Sequence, residues 1–247
     1  MRRISVLITA VLWCGLAFAA GKHGPAMEPS HVDLADKVSL QRGARIFVNY
    51  CLSCHSASYM RYNRIAKDLE LSEESVQTNL MFTTEKIGDG MEVAMSPSDA
   101  ESWFGTFPPD LSVVARSRGA DWLYNFLLSF YLDEKKTTGV NNLFFKDTAM
   151  PHVLWELQGL QRAVYHSKTG DDGKEVSTID HLEIAVPGTL SETQYKQVVR
   201  DLVGFLVYVG EPAKLVRYQI GFWVIVFLMV FLIAAYLMKR EYWKDVH

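Results

Sequence analysis

Between Arg217 and Lys239 the chain carries 21 residues without a single charge, Tyr218 to Met238. Such a stretch has few ways to fold. As a helix it would rise about 32 Å, which matches a hydrocarbon core of about 30 Å. A helix buried inside a soluble core is the weaker reading at this length. Trp223 lies near one end, and Tyr236, Tyr242 and Trp243 near the other, where interfacial aromatic anchors belong. Lys239, Arg240 and Lys244 set three cations just beyond the run, which places the tail on the cytoplasmic side. The other end of the chain agrees. Arg2 and Arg3 precede an apolar stretch, Ile4 to Phe18, and Ala17 and Ala19 form a small-x-small pattern. This reads as a secretory signal cut after Ala19, with an uncut anchor as the rival. The expected organisation is a signal over residues 1–19, an exported domain over 20–217, a transmembrane helix over 218–238 and a cytoplasmic tail over 239–247.

The apolar residues gather in only those two runs, so the chain is not a polytopic membrane protein. At 49% hydrophobic and 21% charged it is not disordered either. The formal net charge is −3, and nothing basic invites a nucleic acid. Without the two arginines of the signal, and the three cations and two acids of the tail, the exported body carries about −6. A mildly acidic surface suits a basic soluble partner, or simple solubility.

Within the body, residues 22–36 read as a loose leading segment. From Ser39 a helical pattern begins, with Leu40, Ala44, Phe47 and Val48 on one face and Gly43 permitting close approach. A second helical stretch is expected over about Tyr59 to Leu71. Residues 78–112, rich in Gly and Pro, read as loop with one short helix. Asp121 to Leu132 reads as a strong apolar helix and 133–152 as loop. Two strand patterns, Ala163–Ser167 and Thr178–Val186, flank Thr169-Gly170-Asp171-Asp172-Gly173 and predict a hairpin. Ser191 caps a helix from Glu192 to Val209, and Glu211-Pro212 ends it before the membrane run.

The chemistry concentrates in Cys51-Leu52-Ser53-Cys54-His55. In an exported protein, two thiols separated by two residues and followed by histidine read as covalent haem c attachment. Each thiol adds to one haem vinyl group, and the histidine sits beneath the iron as proximal ligand. A thioredoxin-like pair, a zinc site and a strained structural disulfide compete less well. The first expects a preceding strand and the second expects four ligands, while the only other cysteine, Cys14, lies in the signal. The sixth iron position calls for methionine or histidine. Met27, Met60, Met81, Met91, Met95 and Met150 lie in the body. Met60 is too near His55 to reach the opposite haem face. Met150, in a loop stiffened by Pro151, has an edge over Met91 and Met95, with His152 as a rival.

In its motifs, their order and their spacing the sequence resembles the cytochrome c1 family. The resemblance rests on Cys51–His55 followed by Ser56, Tyr59 and Tyr62; on Pro108-Pro109-Asp110-Leu111-Ser112; and on Arg116-Ser117-Arg118. It continues through Asn141 to Phe145, Ala149-Met150-Pro151, Asp201 to Leu206, Glu211-Pro212, and Leu237 to Trp243. It implies a mainly α fold: a class I cytochrome c-like haem domain with long loop insertions, a small β-hairpin and one C-terminal transmembrane helix. It implies one haem c on Cys51 and Cys54, with His55 and Met150 as iron ligands. Pro109 would pack against the haem edge and Arg118, or Arg116, would pair with a propionate. Trp122 stands where the family often has a tyrosine, and Asn63 where it often has an arginine after the tyrosine. The implied place is a bacterial cytoplasmic membrane, with the haem domain in the periplasm. The implied partners are cytochrome b, the Rieske iron–sulfur protein and a soluble cytochrome c, within a dimeric complex that oxidises quinol. Glu70, Glu73, Glu74, Asp99 and Glu101 are candidates for docking the soluble carrier. Two rivals remain: a free-standing tethered cytochrome c shuttle to a terminal oxidase, and a haem enzyme or gas sensor whose sixth position is open.

Overall fold

A computed structural model describes residues 25–169 and 175–245. The expected signal and the hairpin's turn lie outside the described residues. The first helix, α1 (Lys37–Ile46), begins where Asp36 accepts the backbone N–H of Ser39. It continues without a break into a π-turn, Phe47–Cys51. Strand β1 (Ala57–Arg61) leads into α2 (Tyr62–Asp68), then α3 (Glu73–Asn79), β2 (Gly90–Met91) and α4 (Pro97–Phe104). Two short helices follow, α5 (Val114–Arg118) and α6 (Ala120–Leu128), then the strands β3 (Phe130–Leu132) and β4 (Val140–Asn142). A single turn, α7 (Trp155–Gln158), precedes the long hairpin β5 (Gly159–Thr169) and β6 (Glu175–Pro187). The chain ends in α8 (Glu192–Gly210) and α9 (Lys214–Tyr242).

The domain is organised around α8. Ser191 and Gln194 form a reciprocal capping box at its start, as the sequence predicts. Val199, Leu202, Val203, Phe205, Leu206 and Val209 are buried along it. Helix α1 lies directly on α8, and Gly43 makes this possible. A Cβ there would come within 2.1 Å of the Asp201 carbonyl oxygen. In that contact the Asp201 carboxylate accepts bonds from Ser39 Oγ, from Arg42 Nε and Nη2, and from Gln197. Phe47 and Phe205 pack ring to ring at 5.6 Å, fixing the π-turn on the same core. Residues 28–30 form a strap across α6: Asn125 exchanges bonds with Glu28, and Asp121 accepts from Ser30 N–H and Oγ.

Two expected helices are shorter than their patterns. The stretch from Tyr59 to Leu71 becomes helical only at Tyr62, because Ser58 and Tyr59 are drawn out by Asp110 and Ser112 and Ala57 pairs with Met91. The run from Asp121 to Leu132 leaves the helix at Leu128. Phe130–Leu132 pairs antiparallel with Val140–Asn142, and the Asn142 amide takes up the Phe126 carbonyl freed at the helix end. Periodicity alone cannot tell a buried strand from the last turn of a buried helix. The hairpin is found where it is predicted, and it is longer than predicted. Gly159 opens it at φ +91, with the backbone of Val186 and Gly188 so close that no side chain would fit.

Glu211-Pro212-Ala213 separates α8 from α9. Within the segment Val216–Tyr242 the most apolar 18-residue window has mean hydropathy 2.7 and none of it is buried, which suits a helix surrounded by lipid. Arg217 pairs with Glu211 and lies over the Tyr218 ring where the apolar run begins.

Candidate haem site

The π-turn shapes the motif. The Leu52 N–H reaches back to the Phe47 carbonyl at 2.9 Å, and the Cys51 carbonyl then accepts from both Cys54 and His55. Widening one turn at the end of a packed helix is a common device at functional sites. It brings Cys51, Cys54 and His55 together within one curl of backbone. Both thiols are free; Cys51 is buried and Cys54 half-buried. Burial, and then the proximity of Cys54, push the Cys51 thiol up to about 12. A redox pair of the thioredoxin kind needs the opposite, a thiolate formed near neutral pH. Among the described residues no group of three or more His, Cys, Asp or Glu is placed to hold a metal ion as a zinc site would need.

His55 is the best-defined side chain of the site. Its Nδ1 lies 2.7 Å from the Pro109 carbonyl oxygen. A carbonyl can only accept, so Nδ1 carries the proton and Nε2 keeps its lone pair. Burial lowers the pKa of the ring, against the pull of that carbonyl and of Asp110, which favours its neutral form. A neutral imidazole oriented through its other nitrogen is how proteins present histidine to a metal.

The carbonyl is itself held in place. Leu111 N–H bonds to the Ser56 carbonyl at 2.7 Å, and Asp110 accepts from Ser58 N–H, Ser58 Oγ and Ser112 N–H. Burial works against the Asp110 carboxylate, but these bonds from Ser112 and Ser58 outweigh it and hold its pKa below the usual value. The segment after the motif and the Pro108–Ser112 segment are therefore stapled together. Pro109 acts here through its main-chain oxygen, a role its residue type does not announce.

Of the remaining predicted residues, Arg118 belongs to an aromatic cluster. The Arg118 guanidinium lies 4.9 Å from the Trp122 ring centre and 5.7 Å from that of Phe145. Trp122 stacks in turn on Phe126 at 5.1 Å. The indole standing in the tyrosine's place is thus part of an aromatic stack. The stem of Arg116 lies against Gly210 on α8. Neither arginine has an acidic partner among the described residues. Met150 is half-buried against the core, its N–H bonded to Thr148 Oγ1. Asn141 and Asn142 set the path of its segment: Asn141 Oδ1 accepts from Asp147 N–H, and Asn142 Oδ1 from Phe144 and Phe145 N–H. Sequence reasoning did not single out these two asparagines for that task. Their one signal is that asparagine readily bonds nearby backbone.

Other methionines are differently placed. Met60 and Met91 are at most 1% exposed and belong to the core, as does Met81. Met27 is exposed and Met95 half-buried. His152 is buried and stacks on Phe130 at 5.0 Å. Of the acidic residues, Glu70 pairs with Lys37, Glu73 and Glu74 occupy the first turn of α3, and Asp99 bonds the capping Ser96 of α4. Glu101 is exposed on α4.

Two free thiols on one curl of backbone and a neutral, oriented imidazole fit a covalently attached haem. Together with the apolar C-terminal helix they define a class: a membrane-anchored haem c protein. Comparison with known proteins narrows this. The model of the Cytochrome C1 family matches residues 29–172 and 187–246. Cytochrome c1 of Allochromatium vinosum is 47% identical over all of both chains. A protein of Nitrosomonas europaea named ammonia monooxygenase gamma subunit is 44% identical, again over all of both chains. Cytochrome c1 of Blastochloris viridis is 26% identical over 85% of this chain and 82% of its own. The chain belongs to the cytochrome c1 family. It is a membrane-anchored haem c electron carrier of the cytochrome bc1 type.

Proposed function

We propose that this chain receives one electron at a time from the Rieske iron–sulfur protein and passes it to a soluble cytochrome c, within a quinol-oxidising bc1 complex that also contains cytochrome b. The complex as a whole would be a ubiquinol–cytochrome c reductase, and this chain its outgoing carrier. The observation that carries the reading is the 2.7 Å bond from His55 Nδ1 to the Pro109 carbonyl, beside two free cysteines, in a chain of this family. When bound, haem c supplies a one-electron Fe(III)/Fe(II) couple.

The chain's own residues do the rest. Cys51 and Cys54 would hold the group by thioether bonds. His55 would present Nε2 as proximal ligand, kept in that tautomer by Pro109. Met150 would fill the opposite position, and a thioether there favours the reduced state. Arg118, or Arg116, would offset a propionate charge. With two protein ligands there is no open position for substrate or gas. The acidic body would steer a basic carrier into brief encounters. A signal over residues 1–19 and cationic residues after Met238 support a bacterial cytoplasmic membrane, with the haem domain in the periplasm and the tail in the cytoplasm.

The test is a reduced-minus-oxidised spectrum of the protein purified in mild detergent from its own membrane. A c-type band accompanied by b-type bands supports the bc1 reading. A c-type band alone, under the same gentle conditions, favours the tethered shuttle. In the same preparation Met150→Ala should open the reduced iron to carbon monoxide. An unchanged spectrum with no carbon monoxide binding would remove Met150 as ligand. The Nitrosomonas relative's name supports a second reading, in which the same carrier serves an oxygenase assembly. Co-purification of oxygenase subunits in place of b haem would favour that reading.

A further inference from the structure

The Met150 segment is fastened at both ends, and the two fastenings differ. On the upstream side the backbone is caught by side chains. Asn141 Oδ1 accepts from Asp147 N–H at 2.8 Å, and Thr148 Oγ1 accepts from Met150 N–H at 3.2 Å. On the downstream side stands His152, two residues past the methionine and only 6% exposed. Its ring lies flat on Phe130, with centroids 5.0 Å apart and planes 5° from parallel. Phe130 is 1% exposed and is fixed in turn by an edge contact to Phe126 at 5.1 Å.

The edge of that ring has close neighbours as well. His152 Nε2 and Gln158 Oε1 are both buried without a hydrogen-bond partner of good geometry. They are neighbours: the Gln158 side chain, with the Gly159 backbone, lies within reach of the imidazole. Gln158 is itself tied down, its amide donating to the Leu128 carbonyl at 2.9 Å. The face of His152 is therefore engaged by Phe130 of β3, and Gln158 of α7 lies at its edge.

We infer that His152 is a positioning residue: it clasps the Met150 segment to the Phe130 ring, and so sets how firmly the methionine sulfur is held on the iron. This rests on the reading of Met150 as the distal ligand. The clasp works by restricting where the segment can go. An unclasped segment samples positions in which the sulfur is away from the metal, and the share of time spent there is open to an external ligand. Pro151 makes the coupling stiff, because its fixed φ leaves little slack between residues 150 and 152.

The experiment compares His152→Ala, His152→Phe and Met150→Ala in the full haem-loaded chain, purified in mild detergent. Three properties are read: the ferric methionine-to-iron absorption band, carbon monoxide binding by the reduced form, and the midpoint potential. His152→Ala should weaken the band, lower the potential and raise the fraction open to carbon monoxide about tenfold, as expected for the loss of one well-packed aromatic pair. His152→Phe keeps the stack and should restore most of the wild-type behaviour. If His152→Ala fails to accumulate, Phe130→Leu removes the ring contact while filling the core, and should show the same changes in smaller degree. If His152→Ala and Phe130→Leu keep the band and refuse carbon monoxide while Met150→Ala loses the band, the clasp is refuted and the ligand reading stands. If His152→Phe behaves like His152→Ala, the stack is not the fastening and the inference falls. If Met150→Ala keeps the band, the ligand reading fails and the clasp with it.

Discussion

Replacing Asp201 with alanine should cost the haem domain about 3 kcal/mol, a figure built from its contacts to Arg42 and Ser39. Its carboxylate is 2% exposed and accepts from Ser39 Oγ at 2.6 Å, Arg42 Nε at 2.6 Å, Arg42 Nη2 at 3.0 Å and Gln197 Nε2 at 2.8 Å. Losing one partner of a fully buried ion pair costs about 3–5 kcal/mol. Here the Arg42 side chain is 41% exposed and can recover water, so the pair falls well short of that range. Ser39 cannot recover water: it is 8% exposed, and an orphaned buried hydroxyl costs about 1–3 kcal/mol. The two contributions together give about 3 kcal/mol, or a drop of about 6–12 °C in melting temperature for a domain of this size. Asp201→Asn keeps the shape and one acceptor and should lose about half as much. The assay is thermal unfolding of the detergent-solubilised holoprotein, followed by far-ultraviolet circular dichroism and Soret absorbance. An alanine variant melting within about 2 °C of the parent would refute the reasoning, because the network would then contribute less than one ordinary hydrogen bond.

Other consequences follow from the same packing. Gly43→Ala sets a methyl group 2.1 Å from the Asp201 carbonyl oxygen, which is backbone and cannot step aside, so α1 must move, at a cost of about 1–3 kcal/mol in the same melt. Asp110→Ala removes the staple behind the Pro109 carbonyl and should lower the midpoint potential and the electron-transfer rate, the latter by about 10–100-fold as for other groups that orient a ligating histidine. An unchanged potential would show that the carbonyl needs no such support. The backbone N–H and hydroxyl of Ser30 hold the Asp121 carboxylate below its usual pKa. Its contribution is therefore present above the unfolded pKa of about 4 and is lost as pH falls through the lower folded value. Limited proteolysis near residue 30 should rise in acid, and Asp121→Asn should show the same sensitivity at neutral pH.

Much of this was legible in the residues. The membrane helix needs only length and an absence of charge. The α8 boundaries follow from Ser191 at one end and Glu211-Pro212 at the other. The spacing Cys51–His55 names its chemistry, and the family follows from motifs in order. What was not legible depends on contacts between distant segments. The strand at Phe130–Leu132 exists because Val140–Asn142 comes to pair with it, and nothing in an apolar run reports that arrival. The same holds for Ala57–Arg61, drawn straight by Asp110 and Ser112. The partner of His55 is a main-chain oxygen, which every residue type carries, so no pattern of side chains could point to Pro109 as its source. Asn141 and Asn142 look like ordinary turn residues until the backbone donors they bind are in place.

The pairing of α1 with α8 sets an order of events for the growing chain. The Cys51–His55 motif emerges with α1, but the helix that α1 packs against begins roughly 150 residues later, a delay of about 10–30 s at ordinary rates of synthesis. Throughout that interval α1 has no partner, and the two thiols sit on an unclosed segment open to whatever attaches the cofactor. Closure waits for α8, which ends at Gly210, four residues before the membrane helix begins. The last piece to lock the domain thus directly precedes the helix that fixes it to the bilayer. The chain brings its closing helix and its anchor together at one end, so folding of the domain and anchoring fall close together in synthesis.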